Sequence, residues 1–230
     1  MNNWLNKIQQ IFYPYTCFIC NEAGDNDLDL CVKCRSNLKA IGTTCRICGI
    51  AMHTERSLTC GRCLAKKPHF DSIITLYEYD ETSKQLIQAL KFNSKHNCAR
   101  TMGRLMSAGF RHHGTLPDAI LAVPLHKKRL RDRGFNQSQL IAQHLHQQLN
   151  IPLLNNTCTR TINTASQTTL KAKERRKNLS NAFSYNNQQF VNSIAVIDDV
   201  VTTGSTANEI AKTLKNAGVK HIEIWAFARA

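Results

Sequence analysis

No run of about 18 apolar residues occurs anywhere in the chain, so no segment is built to cross a bilayer as a helix. The opening residues lack the charge-then-hydrophobic layout of a secretory leader, which argues against export and for a reducing, cytoplasmic home. Acidic residues are scarce, 16 against 30 Lys and Arg, and the net charge is +14 at pH 7. Aromatic residues make up 7%, and only Phe92, Phe110 and Phe135 lie near the basic stretches. Stacking on nucleic-acid bases is therefore modest, and phosphate contacts dominate any such binding.

What is present is organised. A length of 230 residues suits one ordinary domain and a small one, and 42% hydrophobic residues supply a core. The charge is concentrated in two segments. Residues 91–135 carry +8 and residues 160–177 carry +5, more clustered than an ordinary solvated face. Such clustering points to a polyanionic partner: a sugar pyrophosphate, nucleic acid, or both.

Eight of the ten cysteines form four Cys-x-x-Cys pairs: Cys17/Cys20, Cys31/Cys34, Cys45/Cys48 and Cys60/Cys63. A two-residue spacer lets both thiolates face one ion from a knuckle turn, and two knuckles complete a tetrahedral site. The eight thiolates thus imply two zinc ions. The simplest pairing puts one ion on the first two knuckles and one on the last two; a cross-braced pairing is the alternative. A closed four-cysteine site has no open position for water, so both ions are expected to be structural. No redox βαβ unit surrounds Cys17, and Cys98 and Cys158 read as free thiols within the fold.

The chain divides into residues 13–67, a Cys-rich module without long periodicity, and residues 70–230, with Lys66, Lys67 and Pro68 as a hinge. Ahead of the module, residues 4–12 place apolar side chains at helical spacing. They fit an amphipathic helix packing on the zinc module or a partner, or lying on a membrane surface. Beyond the hinge, strand-like runs at 71–79, 119–125, 194–199 and 221–227 alternate with helical periodicity at 82–92, 100–110, 138–149 and 207–216. This alternation predicts an α/β fold, a parallel sheet flanked by helices. Ligands of such sheets bind beyond the carboxyl ends of the strands.

Residues 194–206 carry the most chemistry. Four apolar residues lead to Asp198 and Asp199, and then to Thr202, Thr203, Gly204, Ser205 and Thr206 ahead of a helix. A strand, a small hydroxyl-rich loop and a helix N-terminus are the parts of a phosphate cradle. Carboxylates beside it would repel phosphate, but they suit sugar hydroxyls or Mg²⁺. Together these residues describe a sugar phosphate with free hydroxyls. The stretch after Pro124 reads as a loop holding Lys127, Lys128, Arg129, Arg131 and Arg133, a natural seat for pyrophosphate. The polar segment 167–179 reads either as a lid over the site or as an exposed helix.

Residues 194–206 resemble the phosphoribosyl pyrophosphate (PRPP) signature of type I phosphoribosyltransferases. The resemblance assigns the ribose 2′ and 3′ hydroxyls to Asp198 and Asp199, and the 5′-phosphate to residues 202–206. Purine-salvage members carry Asp where this chain has Thr202, which argues against purine salvage. The four knuckles, Leu90-Lys91-Phe92, Val123-Pro124-Leu125, residues 133–137, Gln167, Glu174-Arg175, Asn178-Leu179 and Ala182-Phe183 extend the likeness to residues 15–230. On these residues the chain is similar to the ComF family (ComFC and GntX-type proteins). That resemblance implies a double zinc-ribbon module before a type I phosphoribosyltransferase-like sheet, with Mg²⁺ accompanying PRPP. It also implies natural transformation, with single-stranded DNA and DNA-uptake machinery proteins as partners. Two functions stay open at this point. One is a PRPP-fold protein gripping single-stranded DNA; the other is a transferase moving phosphoribosyl to an unidentified amine or base.

Overall fold

The structure, a computed structural model, describes residues 14–25, 27–52, 58–92, 96–111, 114–162, 182–186 and 190–230. The expected helix at 4–12 and the segment 167–179 lie outside the described residues. Two one-turn-scale helices belong to the Cys-rich region: α1 (Val32–Ser36) and α2 (Gly61–Ala65). There follow β1 (Ser72–Glu78), α3 (Glu81–Phe92), α4 (His96–Phe110), β2 (Ala119–Ala122), α5 (Lys127–Arg133) and α6 (Gln137–Leu149). The rest comprises β3 (Cys158–Arg160), β4 (Phe183–Tyr185), β5 (Ser193–Val201), α7 (Ser205–Asn216) and β6 (His221–Arg229).

Strands β1, β6, β5 and β2 lie in that order in one parallel sheet, with Leu121 beside Val196 and Val196 beside Ile224. The central strands are apolar along their length because both of their faces are covered. One face meets α3, α4 and α6: Leu86, Leu90, Met102, Phe110 and Ile141 pack against Ala195, Ile197, Trp225 and Phe227. The other face meets α7, where Ala207, Ile210, Ala211 and Leu214 recur at helical spacing against Ile194, Val196, Ile222 and Ile224. Each fully buried Leu, Ile, Val, Met or Phe side chain among these stabilises the fold by about 1.5–3 kcal/mol. The short strands β3 and β4 pair antiparallel as a separate ribbon.

The Cys-rich region straddles the β1 edge. Residues 39–41 run along it, with Ile41 N–H donating to Leu76 O and Glu78 N–H to Lys39 O, both 2.9 Å. This pairing covers a sheet edge that would otherwise offer unpaired groups. The first half of the region then packs on α4. Arg100 pairs with buried Asp29 at 2.5 Å and lies over the Tyr15 ring. The second half packs on the α7 face, where Ile73 N–H donates to Ile47 O at 2.8 Å. Gly49 makes that approach feasible. Its φ is +64°, and an added Cβ would stand 2.9 Å from Ile73 O.

The structure corrects one sequence expectation in this region. Residues 127–133 are a helix, not a loop. His126 caps its start by accepting from Lys128 N–H, and Gly134, at φ +82°, ends it in the left-handed conformation.

Candidate metal centres and phosphate site

The four knuckles pair sequentially. Cys17, Cys20, Cys31 and Cys34 form one cluster, Cys45, Cys48, Cys60 and Cys63 the other, with all sulfurs of each within 4.8 Å. The cross-braced alternative is thereby removed. Sulfur separations of 3.6 Å for Cys20–Cys31, 3.7 Å for Cys20–Cys34 and 3.6 Å for Cys48–Cys60 are far too long for disulfides. They match the ~3.8 Å between ligands of a tetrahedral ion with Zn–S bonds of about 2.3 Å. Backbone donors tune the thiols. Burial raises the Cys17 and Cys45 pKa, but N–H groups of their knuckles outweigh it and bring them down to about 7 and about 6. Cys60 N–H pointing at Cys45 Sγ, 3.3 Å away, is one such donor. Thiolates stabilised in this way suit Zn²⁺. Cys98 and Cys158 are buried outside both clusters, and burial pushes the Cys158 thiol up to about 12.

At the carboxyl end of β5 the two carboxylates have different surroundings, as neighbours on a strand must. Asp199 is 4% exposed and pairs with Lys91 Nζ at 2.6 Å, from the last turn of α3. Arg133 of α5 also bears electrostatically on it. Asp198 is half-buried and accepts from Ser138 Oγ at 3.0 Å. Burial, together with the charge of Asp199 beside it, holds the Asp198 carboxyl well above the usual carboxylate range. Ser138 is positioned by Asn136. That residue caps α6 through Ser138 N–H (3.1 Å) and donates from Nδ2 to Val123 O (3.0 Å) at the end of β2.

The loop of Thr202, Thr203, Gly204, Ser205 and Thr206 joins β5 to α7. Gly204, at φ +74°, occupies the N-cap position, so the first amides of a twelve-residue helix face the loop. Thr203 Oγ1 and Ser205 Oγ lie 2.9 Å apart, and Ser205 N–H donates to Thr203 Oγ1 at 3.3 Å. Beneath the loop, Arg229 is 7% exposed. Its guanidinium donates to Val201 O (2.9 Å), to Thr202 O and to Cys48 O (3.2 Å), tying the hydroxyl loop to a ligand of the second zinc cluster.

The five cations of α5 divide by helical phase. Lys127, Lys128 and Arg131 are exposed, whereas Arg129 and Arg133, four residues apart, are half-buried. Arg129 bears on both Arg133 and Arg160, and His126 forms a bridge with Arg160 that joins this cation row to β3. The carboxylates near the end of β5 and Arg133 of α5 thus come together, and the hydroxyl loop follows β5 in the chain, while the outward cations face solvent. The roles of Lys91, Ser138, Arg160 and Arg229 are not visible in the sequence. Lys91 lies in a stretch that carries the family resemblance, but nothing in that stretch names its carboxylate partner.

Residues 8–64 match the family model described as a double zinc ribbon domain. The chain is 38% identical over 230 residues to "Competence protein F" of Haemophilus influenzae, covering 95% of this chain and 99% of that protein. The chain belongs to the ComF family. Other relatives of this family member are "DNA utilization protein YhgH" of Escherichia coli and "Competence protein ComFC" of Bacillus subtilis. The first is 35% identical (94% of this chain, 97% of that protein), the second 28% (84% and 80%). Among solved structures, the ComF chain is similar to a purine phosphoribosyltransferase from Pyrococcus horikoshii. The identity is 14%, over 57% of this chain and 82% of that one, with a TM-score of 0.35. A similar level holds for an adenine phosphoribosyltransferase from Trypanosoma brucei: 10% identity, 69% and 84% coverage, TM-score 0.35. Among the described residues, no helix is long and apolar enough to cross a membrane.

Proposed function

We propose that this ComF-family chain is a PRPP-binding protein of phosphoribosyltransferase type that handles single-stranded DNA in the cytoplasm during DNA uptake and use. The observation that carries the reading is the juxtaposition at the sheet's carboxyl end. Arg133 of α5 bears on Asp199 there, and the hydroxyl loop leaves β5 a few residues further on, at the start of α7. In this reading the loop amides and hydroxyls hold the 5′-phosphate, and the carboxylates accept from the ribose diol. Arg129 and Arg133 hold the pyrophosphate, whose charge the accompanying Mg²⁺ also offsets. Lys127, Lys128 and Arg131 exceed what one PRPP requires and contact DNA phosphates. The names of the relatives, which speak of competence and DNA utilisation, support the biological setting.

Calorimetry with PRPP and Mg²⁺ tests the core of the proposal. Asp198→Asn with Asp199→Asn removes charged acceptors worth about 1.5–3 kcal/mol per hydrogen bond, so affinity should fall at least about tenfold. Unchanged affinity would remove the ribose assignment. A second reading, an active transferase, is favoured by the intact acidic pair and loop. In that reaction the C1–pyrophosphate bond breaks as a C1–N bond forms, and the acceptor's proton passes to a base. Pyrophosphate release across a panel of amines and bases distinguishes it from binding alone.

A further inference from the structure

A cavity of about 470 Å³ opens between the second zinc cluster and the outer side of the phosphate loop. One wall comes from Arg62, Lys66 and Pro68, the other from Ser205, Asn208 and Lys212 of α7. The helix positions are three and four residues apart, so they present one continuous face. Phe70 and Ile73 supply an apolar floor. The hinge is fastened here, since His69 N–H donates to Asn208 Oδ1 at 2.8 Å.

Cations outnumber anionic groups in this space. Arg62, Lys66, Lys67, Lys212 and Arg229 line it beside Glu209 and the metal-ligand thiols Cys48 and Cys63. Arg62 also hydrogen-bonds Cys48, and Arg229 is held by backbone carbonyls, so Lys66, Lys67 and Lys212 set most of its charge. Neither Asp198 nor Asp199 lines it, nor does any cation of α5. It shares Thr203, Gly204 and Ser205 with the hydroxyl loop, but none of the carboxylates or α5 cations at the end of β5. Its volume falls in the range that encloses a small organic ligand. An apolar floor between polar, cationic walls suits an anion carried on a flat or apolar body better than free inorganic phosphate. An Arg fork, flexible Lys ammoniums and the positive end of α7 converge on it.

We infer that this cavity is a second anion site, one that takes a phosphate monoester carried on a nucleoside. The phosphate is gripped between Arg62 and Lys66 on the ribbon side and Lys212 on the helix side. The nucleoside lies over Pro68 and the apolar floor. The same chemistry arises from a free nucleoside monophosphate or from the 5′-phosphorylated end of a strand. The inference does not depend on PRPP binding at β5.

Calorimetry of the zinc-loaded full chain with dAMP, without PRPP or Mg²⁺, is the test. One equivalent should bind. Lys66→Ala with Lys212→Ala should weaken binding by about tenfold or more, the loss of at least one charged hydrogen bond. Lys212→Arg should retain binding, and Lys127→Ala with Lys128→Ala should leave it unchanged. Saturating PRPP should not displace dAMP; stoichiometric displacement would mean a single shared site and overturn the inference. Absence of dAMP binding, or equal affinity in the Lys66/Lys212 variant, would also overturn it. A 5′-phosphorylated oligonucleotide that competes, while its 5′-hydroxyl counterpart does not, identifies the strand end as the source. Competition by neither identifies the free nucleotide. Competition by both would indicate phosphodiester contact and overturn the monoester assignment. Failure of PRPP to bind with dAMP binding intact would refute the preceding proposal and leave this one standing.

Discussion

Arg229→Met tests whether the second zinc ribbon and the hydroxyl loop of residues 202–206 are one mechanical unit. The wild-type guanidinium is buried, and burial holds its pKa below the usual arginine value. It is retained by carbonyls from both sides: Cys48 O at 3.2 Å, Val201 O at 2.9 Å, and Thr202 O. Methionine fills similar space without a donor. Each hydrogen bond to a charged group contributes about 1.5–3 kcal/mol, so the three together give about 4.5–9 kcal/mol. Relief from burying a charge offsets part of this, and a net loss of about 3 kcal/mol is expected. For a chain of this size, that lowers Tm by roughly 6–12 °C. Thermal melting by circular dichroism of zinc-saturated protein reads the stability. Release to a chromogenic chelator reads the metal, and one of the two ions should leave faster than in the wild type. Hydrogen exchange should rise at residues 201–206 in parallel. A Tm within about 2 °C of wild type, with both ions released at the wild-type rate, would refute the coupling.

Three further outcomes follow from the same geometry. Purified protein should carry about two zinc equivalents, and Cys17→Ser and Cys45→Ser should each remove a different one; elemental analysis of both variants checks this. Because the folded Asp198 pKa is raised, the native state holds this proton more tightly than the unfolded chain does. Stability therefore falls as pH rises from the ordinary carboxylate range through the raised value, and the deficit persists at neutral pH. Asp198→Asn should be more stable than wild type at pH 7 and flatten that dependence, as read by urea midpoints between about pH 4 and 8. Replacing Lys127, Lys128 and Arg131 by Ala should flatten the log–log salt dependence of single-stranded DNA binding by about two units, at ~0.7 per phosphate contact. An unchanged slope in that titration would place the DNA elsewhere.

The sheet was legible in the sequence because buried parallel strands are apolar throughout, as 194–197 and 221–227 are. The metal clusters and the strand–loop–helix join at Gly204 were legible for another reason: both are local, with spacing and residue type set within a few positions. Helix α5 was hidden because five of its seven residues are cations and only Leu130 is apolar, so no periodicity marks it. Its caps, His126 and Gly134, supply what the pattern does not. The placement of the ribbons on opposite faces of the sheet, and the pairing of 39–41 with β1, rest on contacts remote in sequence. The same is true of Lys91 with Asp199, which are 108 positions apart, and of Arg229 with Cys48, 181 positions apart. No local signal encodes such a pair.

The distribution of charge around β5 gives the proposed function a physical basis for telling its two ligands apart. A single strand of DNA carries a charge on every phosphodiester and lacks a vicinal ribose diol. Moving it inward from Lys127, Lys128 and Arg131 would bring its phosphates toward Asp198 and Asp199, where repulsion grows as the local dielectric falls. PRPP offers those carboxylates a neutral diol while keeping its charged groups toward the loop and Arg133. Lys91 and Arg133 offset Asp199, and Asp198 is pushed toward its neutral form, so repulsion is partial. The rest of the cost to a strand is the lack of diol donors for the two carboxyl groups. The outer row of cations therefore favours long polyanions by number of contacts, and the inner pair admits only a ligand that brings donors. Under this arrangement a strand can lie across the mouth of the site without entering it. Selectivity between the two then rests on depth within one basic surface rather than on two separate surfaces.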